Sequence, residues 1–271
     1  MRPLSALPVR GVKAIFFDID DTLTTHGRLT DLAYRALWRA HDAGLFVVPV
    51  TGRPAGWCDH IARMWPVHGV VGENGALAMF HDGERLRRID VLDAAARVEN
   101  RKKLTALGAR ILQQVPGTAL ASDQGYRDYD LAIDFCEDVP RLPRESIDAI
   151  VREFEQAGAT AKISSIHVNG WFGTYDKLAM ARRFMAHLGL KATEGFEDCV
   201  FVGDSPNDQP MFAAFSRSIG VRNVLDFRDR LTQPPRYDTR RPCGGGFAEV
   251  VGALLKGRVK QNPKQRKRHS R

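Results

Sequence analysis

The feature that most constrains this chain is the stretch Phe16-Phe17-Asp18-Ile19-Asp20-Asp21-Thr22-Leu23, an apolar run that ends in carboxylates on alternate positions. Residues 12–17, Val-Lys-Ala-Ile-Phe-Phe, predict a buried strand. Acids that follow such a strand stand at its mouth, where negative charge loses part of its hydration and needs a compensating cation. One acid in that place is an ordinary turn residue, whereas Asp18 and Asp20 together suggest a built site.

The pattern recurs. Val200-Phe201-Val202 is followed by Gly203-Asp204-Ser205-Pro206-Asn207-Asp208, and Leu45–Val50 is followed by Thr51-Gly52-Arg53-Pro54. Between these runs, Thr30 caps a predicted helix with the stripe Leu32, Ala33, Ala36, Leu37 and Ala40, and Gly44 ends it. A second helix is predicted with Trp57, Ile61 and Met64 on one face. Val70 and Val71 make a third strand, and Gly72-Glu73-Asn74-Gly75 turns the chain into Ala76–Phe80. Such β-α units predict an α/β fold, a Rossmann-like, doubly wound, mostly parallel sheet covered on both faces. Ligands of such sheets bind beyond the carboxyl ends of the strands, where Asp18 and Thr51 stand.

From about residue 84 to 167 the texture changes to an inserted α+β cap: a charged strand Arg85–Ile89, a long helix Leu92–Val115, a strand with Leu131, Ile133 and Phe135 on its apolar side and a wet opposite face, an amphipathic helix Pro143–Gly158, and one strand Thr160–Val168. The half-exposed sheet would suit a lid. Gln124, Tyr126, Arg127 and Tyr129 predict a solvated hairpin between two of these strands. The expected partition is a core of residues 1–83 and 168–256, a cap of 84–167, and a basic disordered tail of 257–271.

The formal charge of +8 belongs to that end of the chain: Lys256–Arg271 holds eight Lys or Arg and no acid, which leaves residues 1–255 neutral. The body is therefore not a nucleic-acid-binding surface by charge, and only the tail offers contact with nucleic acid. No run approaches the ~20 apolar residues of a membrane span, and the first apolar run is already the first strand, so a cytoplasmic protein is expected. Cys58, Cys136, Cys199 and Cys243 form no C-x-x-C pair and are expected to be buried free thiols.

Asp18, Asp20, Asp204 and Asp208, converging on one sheet edge, suggest a hard dication, with Mg²⁺ the best match. Lys177 at a helix start adds a cation and Thr51 a hydroxyl donor, which together make a site for an oxyanion beside a metal.

Phe17-Asp18-Ile19-Asp20-Asp21-Thr22, Val50-Thr51-Gly52-Arg53, Asp176-Lys177 and Gly203-Asp204-Ser205-Pro206-Asn207-Asp208, in this order, resemble the four motifs of the haloacid dehalogenase-like hydrolase superfamily. The insertion and Gly72-Glu73-Asn74-Gly75-Ala76 resemble its Cof-type branch, class IIB with a C2 cap, which includes sugar-phosphate phosphatases. The resemblance implies a Mg²⁺-dependent phosphatase acting on a small phosphorylated metabolite, a sugar phosphate first. It implies Asp18 as a nucleophile that becomes an aspartyl phosphate and Asp20 as general acid and base. Thr51, Gly52, Lys177 and Asn207 would bind phosphate. Mg²⁺ would be held by Asp18, Asp204 and the Asp20 carbonyl, with Asp208 positioning a metal water or Lys177. Asp21 and Pro206 stand where many members carry Gly; neither change removes a catalytic atom. Retention of Asp20 and Asp204 favours phosphate chemistry over dehalogenation. A phosphomutase with the same intermediate, or a noncatalytic sugar-phosphate or RNA-binding module, is the alternative.

Arg53, Glu73, Asn74, His167 and Asn169 are candidates for reading the substrate, each with a plainer alternative: Arg53 pairs with Asp204 or another acid, Glu73 and Asn74 only make a turn, and Trp171 and Phe172 beside Asn169 only pack a hinge.

Overall fold

The computed structural model describes residues 1–190 and 194–259. Its described residues fall into two units, one of 1–48, 194–204 and 211–259, the other of 49–190 and 205–210.

In the first unit, the buried run at Ala14–Phe17 pairs with Cys199–Gly203 in parallel, Val202 opposite Phe17. The whole sheet runs Arg2–Pro3, Tyr237–Asp238, Ser218–Gly220, Cys199–Gly203, Ala14–Phe17, Phe46–Pro49. Strand alternation sends Phe16 and Phe17 to opposite faces. Phe16 meets the Phe215 ring at 5.9 Å, and Phe17 meets Phe247 of the helix Cys243–Val259 at 4.8 Å. Both faces are thus covered, as expected for a doubly wound sheet. The helix Asp31–Asp42 is capped by Thr30 and buries Ala33, Ala36, Leu37 and Ala40. Leu32, expected on that stripe, is 41% exposed. The final helix continues to Val259, past the expected start of the tail at 257, and from residue 260 that tail lies outside the described residues.

In the second unit, Val50 bridges Val71 in parallel. Val70–Gly72, Leu77–His81 and Leu86–Asp90 then form an antiparallel sheet. The helix Ala55–Met64 buries Ala55, Cys58, Ile61 and Ala62, so the expected Trp57–Ile61–Met64 face is wrong by a rotation: Trp57 is 40% and Met64 64% exposed. Trp57 instead lies under the Arg53 guanidinium, 4.4 Å from its ring centroid.

A four-stranded antiparallel sheet follows, in the order Ala119–Leu120, Leu131–Asp134, His167–Trp171, Thr160–Ile163. The expected single strand over 160–168 is therefore a hairpin, turned where the Ser164 hydroxyl accepts from His167 N at 2.9 Å. One sheet face, with Leu131, Ile133 and Val168, packs with Leu107 and Ile111 of the helix Ala94–Gln114 and Ile150 and Phe154 of Arg144–Gln156. The other face was expected to be wet, yet His167, Asn169 and Trp171 on it are buried. Buried ion pairs and hydrogen bonds cover it together with the Tyr175 ring, which stacks on Trp171 at 5.5 Å, and no alternation pattern announces those contacts.

Candidate active site

In the first unit, Asp18 N continues the strand ladder by donating to Val202 O at 2.9 Å, so Asp18 and Asp204 leave adjacent strands at the same end. Both are buried, and their carboxylate oxygens lie within 4.8 Å of one another. Two like charges so close and so dry call for added positive charge or a shared proton, and oxygen donors of this kind suit a hard divalent cation. Asp204 is aimed by two neighbours: its Oδ1 accepts from Thr22 Oγ1 at 3.0 Å and its Oδ2 from Asn223 Nδ2 at 3.2 Å. Sequence reasoning missed both: Thr22 lies 182 residues from Asp204 along the chain, and Asn223, 19 residues after it, stands in no recognisable motif.

The turn after Asp18 winds around one carbonyl, with Ile19 O accepting from Leu23 N and Thr24 N, each at 2.9 Å. This leaves Asp20 half-buried at the rim. Asp21 has φ 53°, the left-handed region. That explains why glycine is common there and why Asp, one of the few other residues at home in that region, can replace it.

In the second unit, Thr51 N donates to Val71 O at 2.8 Å, and the Thr51 hydroxyl accepts from Arg53 N at 3.0 Å. The Gly72–Gly75 turn locks this loop: Asn74 N donates to Thr51 O at 3.0 Å and Glu73 N to Arg53 O at 3.1 Å. A Cβ on Gly52 would stand 3.2 Å from the Asn74 amide. Gly75, with φ 101°, brings the same turn against the start of the helix Lys177–His187, where a Cβ would stand 2.0 Å from Asp176 O. Lys177 itself is buried and donates from Nζ to Asp208 Oδ1 at 2.8 Å. Asp208 is held by a capping box with Ser205, Pro206 fills the first helical position, and Asn207 beside it is buried.

The polar sheet face of this unit is a charge network. Glu73, wholly buried, accepts from four backbone N–H groups: Ala55 and Asp128 on Oε1, Tyr129 and Asp130 on Oε2. Burial, then the nearby Asp130 carboxylate, push its pKa up to about 7 against these donors. Arg53 pairs with Asp123 at 3.1 Å and with Glu137 at 2.6 Å, the plainer of its two expected roles but with cap acids as partners. His167 Nε2 lies 2.9 Å from Glu137 Oε2. Burial alone would raise Glu137, yet His167 and Arg53 hold it down at about 2. Asn74 and Asn169 both donate to Asp130 Oδ2, at 3.2 and 3.0 Å. Arg127, expected in a solvated hairpin, is buried between Asp123 and Asp130 and donates to Gly52 O at 2.8 Å. Tyr129 is buried too, while Tyr126 is exposed. All four cysteines are free thiols, with Cys136 only half-buried.

Residues 15–105 match the family model described as haloacid dehalogenase-like hydrolase. Phosphoglycolate phosphatase of Pyrobaculum neutrophilum is 30% identical over 252 residues, which cover 91% of this chain and 97% of that protein. The chain belongs to the haloacid dehalogenase-like hydrolases. Among solved structures, a HAD/COF-like hydrolase from Plasmodium vivax is similar in fold (TM-score 0.66, 17% identity, 93% of this chain and 98% of that one). A HAD subclass IIB sugar phosphatase is as well (TM-score 0.59, 15% identity, 93% and 99%). The chain is a phosphatase of this family.

Proposed function

We propose that this phosphatase is a Mg²⁺-dependent phosphomonoesterase that passes the phosphoryl group of a small phosphorylated metabolite to Asp18 and then to water. The close, buried Asp18 and Asp204 carboxylates carry this reading. Asp18, Asp204 and the Asp20 carbonyl would hold the metal, with Asp208 completing the acidic set. When bound, Mg²⁺ supplies the charge that lets a phosphoryl group approach these carboxylates.

An Asp18 oxygen forms a bond to phosphorus as the ester P–O bond breaks, and Asp20 gives its proton to the leaving alkoxide. Asp20 then takes a proton from water as that water attacks the aspartyl phosphate, releasing inorganic phosphate and Asp18. Its half-buried place suits a group that meets solvent in every cycle. Thr51, Gly52, Lys177 and Asn207 bind the phosphoryl oxygens, and Asp208 aims Lys177.

Residues 84–167 act as the cap on a core of 1–83 and 168–256. We assign Glu73 to holding the loop beside Thr51 and place Arg53, Asn74, His167 and Asn169 next to the substrate. Sugar phosphates, and phosphoglycolate after the Pyrobaculum relative, are the first substrates to test. Free cysteines support a cytoplasmic setting, and no helix among the described residues is long and apolar enough to cross a membrane.

The test is release of phosphate from an aryl phosphate and a panel of sugar, polyol and acid phosphates, with Mg²⁺ and with chelator. Metal-dependent turnover that disappears in Asp18→Asn is expected. Equal rates for wild type and variant across the panel would sink the proposal.

A further inference from the structure

One cation of the second unit is left unused by the network above. Lys162 lies in the edge strand Thr160–Ile163, directly opposite Asn169. Its neighbours Ala161 and Ile163 pack on the hydrophobic cluster with Ile133, Phe154 and Val168. Alternation therefore puts Lys162 on the polar face, the one that carries Asn169 and His167. The same strand packs against Pro206–Asp208, the turn that bears the partner of Lys177. A lysine that only protects a sheet edge stands out in solvent. Lys162 is half-buried and, among the described residues, has neither an ion pair nor a side-chain hydrogen bond.

The other charges around it have partners: Arg53 with Asp123 and Glu137, Arg127 with Asp123 and Asp130, Lys177 with Asp208, and Glu137 also with His167. Of the charged groups named here, Lys162 is the one without a protein partner among the described residues.

We propose that Lys162 is a specificity residue that receives a second anionic group, a carboxylate or another phosphate, on the leaving portion of the substrate. This rests on the phosphatase reading above and narrows its substrates to phosphomonoesters that carry a further negative charge. An ammonium group takes either anion as a point charge, and partial removal from water strengthens the attraction.

The experiment uses the full chain with Mg²⁺ and matched substrates: phosphoglycolate against ethyl phosphate, 6-phosphogluconate against sorbitol 6-phosphate, and a sugar bisphosphate against the monophosphate. Wild type should favour the more acidic member, and the pair that shows the larger preference separates carboxylate from phosphate. Lys162→Met should raise KM for that member roughly 10- to 100-fold and leave kcat within about threefold. It should leave the neutral partner and an aryl phosphate unaffected, which also reports that the variant is folded, and Lys162→Arg should keep most of the preference. The proposal is overturned if wild type shows no preference for acidic substrates, or if Lys162→Met moves both members of a pair alike. Retained metal-dependent aryl phosphate turnover separates that failure from failure of the phosphatase reading. Its absence in wild type would remove both.

Discussion

Lys177 Nζ donates to Asp208 Oδ1 at 2.8 Å, with the two side chains 2% and 0% exposed. Each charge is tolerated in the interior because of the other. Asp208→Asn keeps the shape and removes the charge, so it should destabilise the protein by roughly 3 kcal/mol in urea unfolding. It should also lower kcat/KM for an aryl phosphate by about 100-fold, since Lys177 loses the partner that aims it. An unchanged kcat/KM would show that Asp208 does not support Lys177.

Asp204 accepts hydrogen bonds from Thr22 and Asn223. Thr22→Val removes one donor at nearly constant volume and touches no proposed reacting atom. The expected effect is a roughly tenfold weaker apparent Mg²⁺ affinity, with most of kcat recovered at saturating metal. A fall in kcat that metal cannot rescue would argue that Thr22 does more than aim Asp204.

The strand ends that carry Asp18, Thr51 and Asp204 could be read from the sequence because each closes an apolar run, and the burial of both faces of Phe16 and Phe17 follows from the same run. What could not be read depends on register and long-range pairing. Trp57 and Met64 looked like core residues by hydrophobicity, yet the helix turns Cys58 and Ile61 inward. Arg127 looked solvated because its partners Asp123 and Asp130 are ordinary loop acids until the fold closes around them. Glu73 gave no sign of binding backbone amides more than fifty residues away.

Glu73 and Glu137 should act on stability with opposite pH dependence. The Glu73 pKa is raised to about 7. The folded state therefore holds a proton that the unfolded chain has released, and its contribution falls as pH rises from the ordinary carboxylate range to about 7. The Glu137 pKa is lowered to about 2, so its contribution is present above the ordinary range and is lost as pH falls towards 2. Urea unfolding of Glu73→Gln, non-titrating at this site, should show a penalty against wild type that shrinks between pH 5 and 7. For Glu137→Gln the penalty should shrink as pH falls from 5 to 3. A pH-independent penalty in either variant would remove that group from the account.

Gly75→Ala tests whether the close seat between the Gly72–Gly75 turn and the Lys177 helix matters for both folding and turnover. The added Cβ would stand 2.0 Å from Asp176 O, and Gly75 has φ 101°, which L side chains rarely adopt. Backbone must therefore move, and the cost should reach about 3 kcal/mol or more. The same turn binds Thr51 through Asn74 and Arg53 through Glu73, so the shift should reach the phosphate loop. Lower stability with kcat/KM for an aryl phosphate down by about 100-fold is expected. Gly83→Ala is the matched control, because Gly83 has the same φ of 101° but nothing within 4 Å of an added Cβ. It should lose stability through strain alone and keep full activity. If the two variants lose activity equally, the seat against Asp176 has no special part in placing Lys177.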